Sequence, residues 1–265
     1  MSQHSIYFYG IIAIMGLAGL TAAGTGGLFF VRRVGEKRAN AFFGCLLIAF
    51  GLTQWHNVLT LMDFYETHPQ WRFLPIYFTL SFPVLLFYYV KLSLYPTYRF
   101  QRTDIKHFVL PVSQWLFFCL VLIQPLKQKL IAGRGFYNPF YGALEQAIYL
   151  GTFFAYMYFA YRYIRQKRKH IRGKKEAWRV LYLDKLVKIL FILFSGHTLL
   201  VVTDFAAYEF INVNMRAFKP YAAFSVLSFT AIVGWLSVYG GQVLIWGKRI
   251  FADERKSSVG LDAGN

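Results

Sequence analysis

Seven long apolar runs follow one another along this chain, and they constrain its fold more than any other feature. A helix needs about 20 mostly apolar residues to cross a bilayer, and each run is close to that length. Charged residues make up only 15% of the chain, against about 25% in soluble domains. The sequence therefore predicts an all-α integral membrane protein with seven spans, at 6–31, 40–63, 73–95, 107–125, 142–164, 184–206 and 221–247.

These spans form one predicted domain, residues 1–251, and we expect the polar tail at 252–265 to be disordered and cytoplasmic. Of the 29 Lys and Arg residues, 23 lie at or after the ends of odd-numbered spans, and 6 follow even-numbered spans. Basic connections stay on the cytoplasmic side, so the N-terminus should be outside and the C-terminus inside. This topology explains the net charge of +17, and no fold for direct nucleic-acid binding accompanies it.

Two apolar stretches carry the same polar pattern, a histidine followed seven positions later by an aspartate. They are His56–Asp63 in the second span and His197–Asp204 in the sixth. Seven residues rise about 10.5 Å along a helix and return to nearly the same face. An ionisable group inside a span costs about 2.5–3.5 kcal/mol on insertion scales, which makes it a candidate for function. We expect two polar layers, with the histidines deeper and the aspartates near the outer mouth.

A ligand site that opens to the outer side is the first interpretation of these layers. Its candidate lining residues are Gln54, Trp55, His56, Asp63, Glu145, His197 and Asp204. The alternative is that each histidine bonds a neighbouring carbonyl or hydroxyl and each aspartate caps a helix end. A metal or haem held by His56 and His197 is a weaker alternative. Seven residues is too long a step for a histidine and an aspartate to share one ion, and no cofactor is expected.

The order of the spans allows an internal repeat. Three helices, one inverting helix and three more helices would form a parallel 3+1+3 repeat, in which the second and sixth spans are counterparts. Parallel repeats are one recurrent plan of membrane transporters.

The connection between the fifth and sixth spans is the strongest cluster of positive charge. We expect the cluster to bind anionic lipid or a protein partner, since each cation near the membrane surface contributes about 1 kcal/mol of attraction to anionic lipid. The candidate residues are Arg165, Lys167, Arg168, Lys169, Arg172, Lys174 and Lys175.

Three stretches resemble one known family. "VRRVGEKRANAFFGCLLIAFGL", "FTLSFPVLLFYYVKLSLYPTYRFQRTDIKHFVLPV" and "VLIWGKRIF" are similar to the seven-helix membrane domain that precedes AraC-type DNA-binding domains in many Bacteroidota regulators. The resemblance implies a sensor-like scaffold in a bacterial inner membrane. That family continues into a cytoplasmic helix-turn-helix after helix seven, whereas about eighteen residues follow here, so we expect any output to need a separate partner.

Together these features favour a non-enzymatic, receptor-like or accessory membrane subunit. It would bind a small polar or lipidic ligand from the outer side, and signal to or assemble with a protein partner. A small-solute transporter is the second hypothesis, and a membrane metal or haem enzyme is the third. The two cysteines, Cys45 and Cys119, are expected to be buried thiols.

Overall fold

A computed structural model describes residues 6–32, 36–132, 137–171, 173–213 and 215–251. The described residues are 84% helical and contain no β-strand. The α-helices are α1 (Ile6–Val31), α2 (Lys37–Leu61), α3 (Phe64–Thr67), α4 (Phe82–Leu94), α5 (Val109–Leu122), α6 (Leu126–Ile131), α7 (Ala143–Arg168), α8 (Lys174–Ile211) and α9 (Lys219–Phe251). Short 3₁₀ turns occur at Pro69–Trp71, Thr79–Ser81, Arg102–Phe108 and Met215–Ala217.

Among the described residues, five helices are long and apolar enough to cross a membrane. The all-helical class is therefore confirmed, and the candidate spans agree with a membrane protein. They are Ile6–Val31, Lys37–Leu61, Arg102–Leu122, Glu176–Tyr208 and Pro220–Gly247. The predicted fifth span corresponds to α7, which is long enough but rich in tyrosine and ends in basic residues. The shorter apolar helix at Thr79–Leu94 corresponds to the predicted third span.

The third span is shorter than its prediction. We expected a helix over 73–95, but regular structure begins only at Thr79, and the chain from 73 to 78 is not helical. Pro75 explains the break, because proline has no N–H and disfavours helix at the residue before it. Pro83 is tolerated because it lies in the first turn of α4. The remaining helix, 79–94, rises roughly 24 Å, less than the thickness of a bilayer core of about 30 Å.

Six helices form a closed ring in the order α1, α2, α4, α7, α8, α9 and back to α1. Contacts of α2 with α9 and of α4 with α8 cross the ring. Helix α5 lies outside it and exposes large side chains such as Leu116 and Leu120. The order α1–α2–α4, α5 outside, then α7–α8–α9 is compatible with a 3+1+3 repeat, which stays a prediction.

Glycines bring α1 and α2 close together. A Cβ atom on Gly51 would lie 2.7 Å from the carbonyl oxygen of Gly19, and one on Gly26 would lie 2.8 Å from that of Gly44. Helices approach this closely only where small residues face each other. The Gly/Ala-rich helix α1 therefore packs closely against α2.

An aromatic layer fills the middle of the ring. We use this name for six buried rings on five helices: Phe50, Phe82, Tyr149, Phe153, Phe194 and Phe229. Phe50 stacks on Phe82 with ring centroids 3.7 Å apart, and Phe153 stacks on Phe194 at 3.8 Å. Tyr149 joins the two pairs, at 6.0 Å from Phe82 and 5.5 Å from Phe194. The layer therefore divides the interior of the bundle into two halves.

Two expectations fall on chain that is outside the described residues. The polar tail, 252–265, is one of them, and Arg172 is the other. The cysteine prediction is wrong, since Cys45 is exposed and Cys119 is only half-buried. Both lie on surfaces that the bundle leaves open, where an apolar thiol can face lipid as well as protein.

Candidate functional site

A ring of polar side chains lies one helical turn from the aromatic layer. We call the end of the bundle where α2 ends and α7 begins the upper end. Gln54 is four residues above Phe50, Thr79 three above Phe82, and Glu145 four above Tyr149, so each lies over its aromatic residue. His197 lies three residues above Phe194 and contacts that ring at 6.3 Å. The polar ring consists of Gln54, Thr79, Glu145 and His197.

Glu145 supplies the carboxylate of the polar ring, and it is fully buried, with 0% of its surface exposed. Its Oε1 accepts a hydrogen bond from the Thr79 hydroxyl. Its Oε2 accepts from the Tyr77 hydroxyl at 3.2 Å and from Nε2 of Gln146 at 3.0 Å. These donors satisfy the lone pairs of a carboxyl group that has no contact with water.

The break in the third span supplies two of these donors, because Tyr77 and Thr79 lie on it. Non-helical backbone inside a membrane protein must be satisfied by other groups. The N–H of Phe78 donates to the Thr53 hydroxyl at 3.0 Å, and that of Leu80 donates to Oε1 of Gln114 at 3.1 Å. Side chains of α2 and α5 therefore accept hydrogen bonds from the backbone of this irregular segment, which lies beside Glu145.

His56 lies next to this break, in a group of aromatic rings. Its Nδ1 is 3.1 Å from the hydroxyl of Tyr65. Its ring centroid lies 5.0 Å from that of Tyr77 and 6.0 Å from that of Tyr141. Burial, with a smaller effect of Tyr141, raises the pKa of Tyr65 above its ordinary value, so this hydroxyl stays protonated at neutral pH.

His197 is paired with α9 rather than with His56. Its Nδ1 lies 2.8 Å from the hydroxyl of Ser228, which donates its own hydrogen to the Ser225 carbonyl at 2.7 Å. The Ser228 oxygen must then accept, so Nδ1 of His197 carries the hydrogen. A neutral imidazole in this tautomer presents Nε2 as an acceptor.

Two atoms beside the aromatic layer lack a hydrogen-bond partner among the described residues. They are Oε1 of Gln54 and the hydroxyl of Tyr149. The exposed fractions of these residues are 0% and 2%. Nε2 of Gln54 donates to the Thr230 hydroxyl at 2.9 Å, and that hydroxyl donates to the Val226 carbonyl. The amide orientation of Gln54 is therefore fixed by its neighbour.

The other predicted site residues lie apart from the polar ring. The indole of Trp55 faces α1, where a Cβ on Gly19 would lie 3.0 Å from it. Asp204 is half-buried near the upper end of α8. Asp63 is exposed, because α2 ends at Leu61 and Asp63 adopts a left-handed conformation with φ of 54° before α3. The prediction that Asp63 continues the helical face of His56 is therefore wrong.

The structure brings Gln54, Glu145 and His197 together around one layer, with His56 beside them through Tyr77. His56 and His197 hydrogen-bond through Nδ1 to different elements, Tyr65 in α3 and Ser228 in α9. Within the described chain, no group of three or more His, Cys, Asp or Glu side chains is arranged to hold a metal ion.

Sequence reasoning missed Tyr77, Thr79 and Gln114. The signal that could have found Tyr77 and Thr79 is the pair of prolines in "FLPIYFTLSFP", which interrupts an apolar run and so predicts irregular backbone at membrane depth. Interrupted spans are where polar binding groups concentrate in membrane transporters.

A second buried polar cluster lies at the lower end and was also missed. Nζ of Lys91 lies 3.7 Å from Asp104 and 3.6 Å from the centroid of the Tyr98 ring. Asp104 accepts hydrogen bonds from the hydroxyls of Tyr88 at 2.8 Å and Tyr98 at 2.7 Å. Burial and the hydrogen bond to Asp104 raise the pKa of Tyr98 to about 12. The cluster fixes the 95–101 loop to the end of α4.

The basic connection between α7 and α8 is mostly exposed. Arg165, Arg168 and Lys169 face away from the bundle. Lys167 differs, because its Nζ lies 2.6 Å from the Glu176 carboxylate and 5.5 Å from the Tyr95 ring. Lys174 and Lys175 begin α8. Three of the predicted cations are therefore at the surface, while Lys167 joins the two helices.

Comparisons with protein-family models, with curated proteins and with solved structures find no match for this chain.

Proposed function

We propose that the chain is a seven-span protein of a bacterial inner membrane, with the N-terminus outside and the C-terminus in the cytoplasm. The charge distribution of the connections and the resemblance to the AraC-associated membrane domain support this topology and location. The ring order supports the count, since α4 and α7 pack between helices long enough to span. In this orientation the upper end is the outer end.

Its proposed role is that of a non-enzymatic receptor-like or accessory subunit that binds a small polar or lipidic ligand from the outer side. The observation that carries this proposal is the polar ring centred on Glu145, fully buried beside an interrupted span. Such buried polar groups are costly in a bilayer, and function is the usual reason for keeping them. The ligand would favour one arrangement of helices, and a partner at the basic connection would respond to it.

A small-solute transporter is the second candidate, and the interrupted third span favours it. The aromatic layer opposes it, because Phe50, Phe82 and Phe229 close the interior directly beneath the polar ring. The two candidates differ in one measurable property. A transporter moves a radiolabelled solute into proteoliposomes, whereas a receptor binds the same solute without flux.

The test of ligand binding uses the purified full chain in detergent and a panel of small polar solutes of different charge. We expect at least one class to raise the melting temperature, because a ligand that binds only the folded state stabilises it. His56→Ala and His197→Ala should reduce that rise without preventing membrane insertion, and His170→Ala, which is exposed, is the matched control. No response to any class, or an undiminished response in both variants, would contradict the proposal.

A further inference from the structure

The chemistry of the polar ring indicates which class of molecule it can hold. The unpaired Oε1 of Gln54 can only accept a hydrogen bond. The carboxylate of Glu145 also accepts, and so does Nε2 of His197 in the tautomer that Ser228 imposes. The hydroxyl hydrogens of Thr230 and Ser228 are already donated to backbone carbonyls. This face of the polar ring therefore presents hydrogen-bond acceptors. A complementary ligand must supply hydrogen-bond donors.

The unpaired hydroxyl of Tyr149 is a second and independent sign of a bound molecule. Tyr149 lies one turn below Glu145 on the same face of α7, and it is 2% exposed. A buried hydroxyl with no partner destabilises the folded protein. Native proteins usually satisfy such atoms, so two of them beside the aromatic layer, this hydroxyl and Oε1 of Gln54, point to a molecule bound between the polar ring and the layer.

The charge of the polar ring and the aromatic layer beneath it narrow the class of ligand further. Glu145 places a carboxylate in the ring, which favours a cation over an anion or a neutral molecule. The aromatic layer beneath it presents the rings of Phe50, Phe82 and Tyr149, and aromatic faces attract cations and bind alkyl groups. An organic cation satisfies both surfaces, with its N–H groups toward the ring and its carbon chain against the layer.

We propose that the polar ring binds a small primary alkylammonium ion. The ammonium group donates to Glu145, to Oε1 of Gln54 and to the Tyr149 hydroxyl, and the alkyl group lies on the aromatic layer. This assignment rests on the proposed function, because it names the ligand class of the same site.

The experiment titrates the full chain, in detergent, with n-butylammonium and records its melting temperature. Butan-1-ol and pentanoate carry the same n-butyl group and serve as the neutral and anionic matches. We expect the melting temperature to rise with ligand concentration for n-butylammonium only. A rise of equal size with butan-1-ol would overturn the assignment, since the charge would then contribute nothing.

Variants separate binding from folding. Tyr149→Phe removes an unpaired hydroxyl, so the ligand-free protein should melt at the same temperature or higher, while n-butylammonium binds at least tenfold more weakly. Gln54→Leu should weaken binding in the same way, and Tyr158→Phe, at an exposed position, should leave it unchanged. Full-strength binding in both Tyr149→Phe and Gln54→Leu would overturn the assignment.

Failure of this assignment is distinguishable from failure of the proposed function. If solutes of another charge class stabilise the wild type and Glu145→Gln abolishes their effect, the site stands and the ammonium assignment is wrong. If no class of solute stabilises the protein, both are wrong.

Discussion

Buried charges in this protein are stabilised in two different ways. Glu145 at the upper end is held by hydroxyl and amide donors, whereas Asp104 at the lower end also has a cation, Lys91, beside it. Removing one partner of a buried pair leaves the other charge uncompensated, which costs more than the pair itself contributes. The two sites should therefore respond differently to neutralisation.

Asp104→Asn is expected to lower the free energy of unfolding by about 3 kcal/mol, because it leaves Lys91 buried without its counter-ion. Chemical denaturation in detergent measures the change. Glu66→Gln is the matched control, since Glu66 pairs with Arg72 but its side chain is 71% exposed; we expect a loss below about 1 kcal/mol there. Equal effects of the two substitutions would show that the Lys91–Asp104 contact does not stabilise the fold.

Gly51→Ala is expected to destabilise the protein by about 1–3 kcal/mol, the usual effect of overpacking. Its new Cβ would lie 2.7 Å from a backbone oxygen of α1, which can move only if the helices separate. Gly24→Ala is the control, since nothing lies within 4 Å of a Cβ at that position. Thermal melting of both variants tests this, and a neutral Gly51→Ala would refute the close approach of α1 and α2.

At the scale of elements, the interrupted third span depends on side chains from other helices. Gln114 makes two contacts there, accepting from the N–H of Leu80 and donating to Thr79, and it also donates to the Phe140 carbonyl before α7. An uninterrupted apolar helix in place of this span would need none of these contacts. The break is therefore maintained by tertiary contacts rather than by its own sequence alone.

Gln114→Leu is expected to lower the free energy of unfolding by about 2 kcal/mol, because the buried N–H of Leu80 loses its acceptor. Ser113→Ala, one residue away on the same helix and half-buried, should be nearly neutral. Hydrogen exchange of peptides covering 73–82 gives a local measure, and we expect faster exchange there in Gln114→Leu only. Unchanged exchange would mean that the break is held without Gln114.

The sequence predicted the helices well and the site only in part. Glu145, Gln54 and His197 could be found because polar residues are conspicuous within apolar runs. Asp63 was misplaced because helix ends are set by local conformation, here a left-handed residue beyond α2. Tyr77, Thr79 and Asp104 were missed because they act from non-helical or 3₁₀ chain, and hydrophobic periodicity carries no information about such segments.

At the scale of the whole molecule, the topology can be tested with single cysteines in a Cys45→Ala, Cys119→Ala background. Glu66→Cys and Lys127→Cys should react with a membrane-impermeant thiol reagent added to spheroplasts, since both positions are exposed at the proposed outer end. Arg168→Cys should react only after lysis. Labelling of Arg168→Cys in intact spheroplasts would reverse the proposed orientation.

Helix α8 is much longer than any membrane requires. Its 38 residues extend about 57 Å at 1.5 Å per residue, nearly twice a bilayer core of about 30 Å. His197, in the polar ring, and Lys174, at the basic connection, are joined by one continuous rod of about 35 Å. A tilt of about 5° at the ring would move the far end sideways by about 3 Å over that length. The helix is thus a lever arm, long enough to turn a small displacement at the polar ring into a larger one at the basic connection.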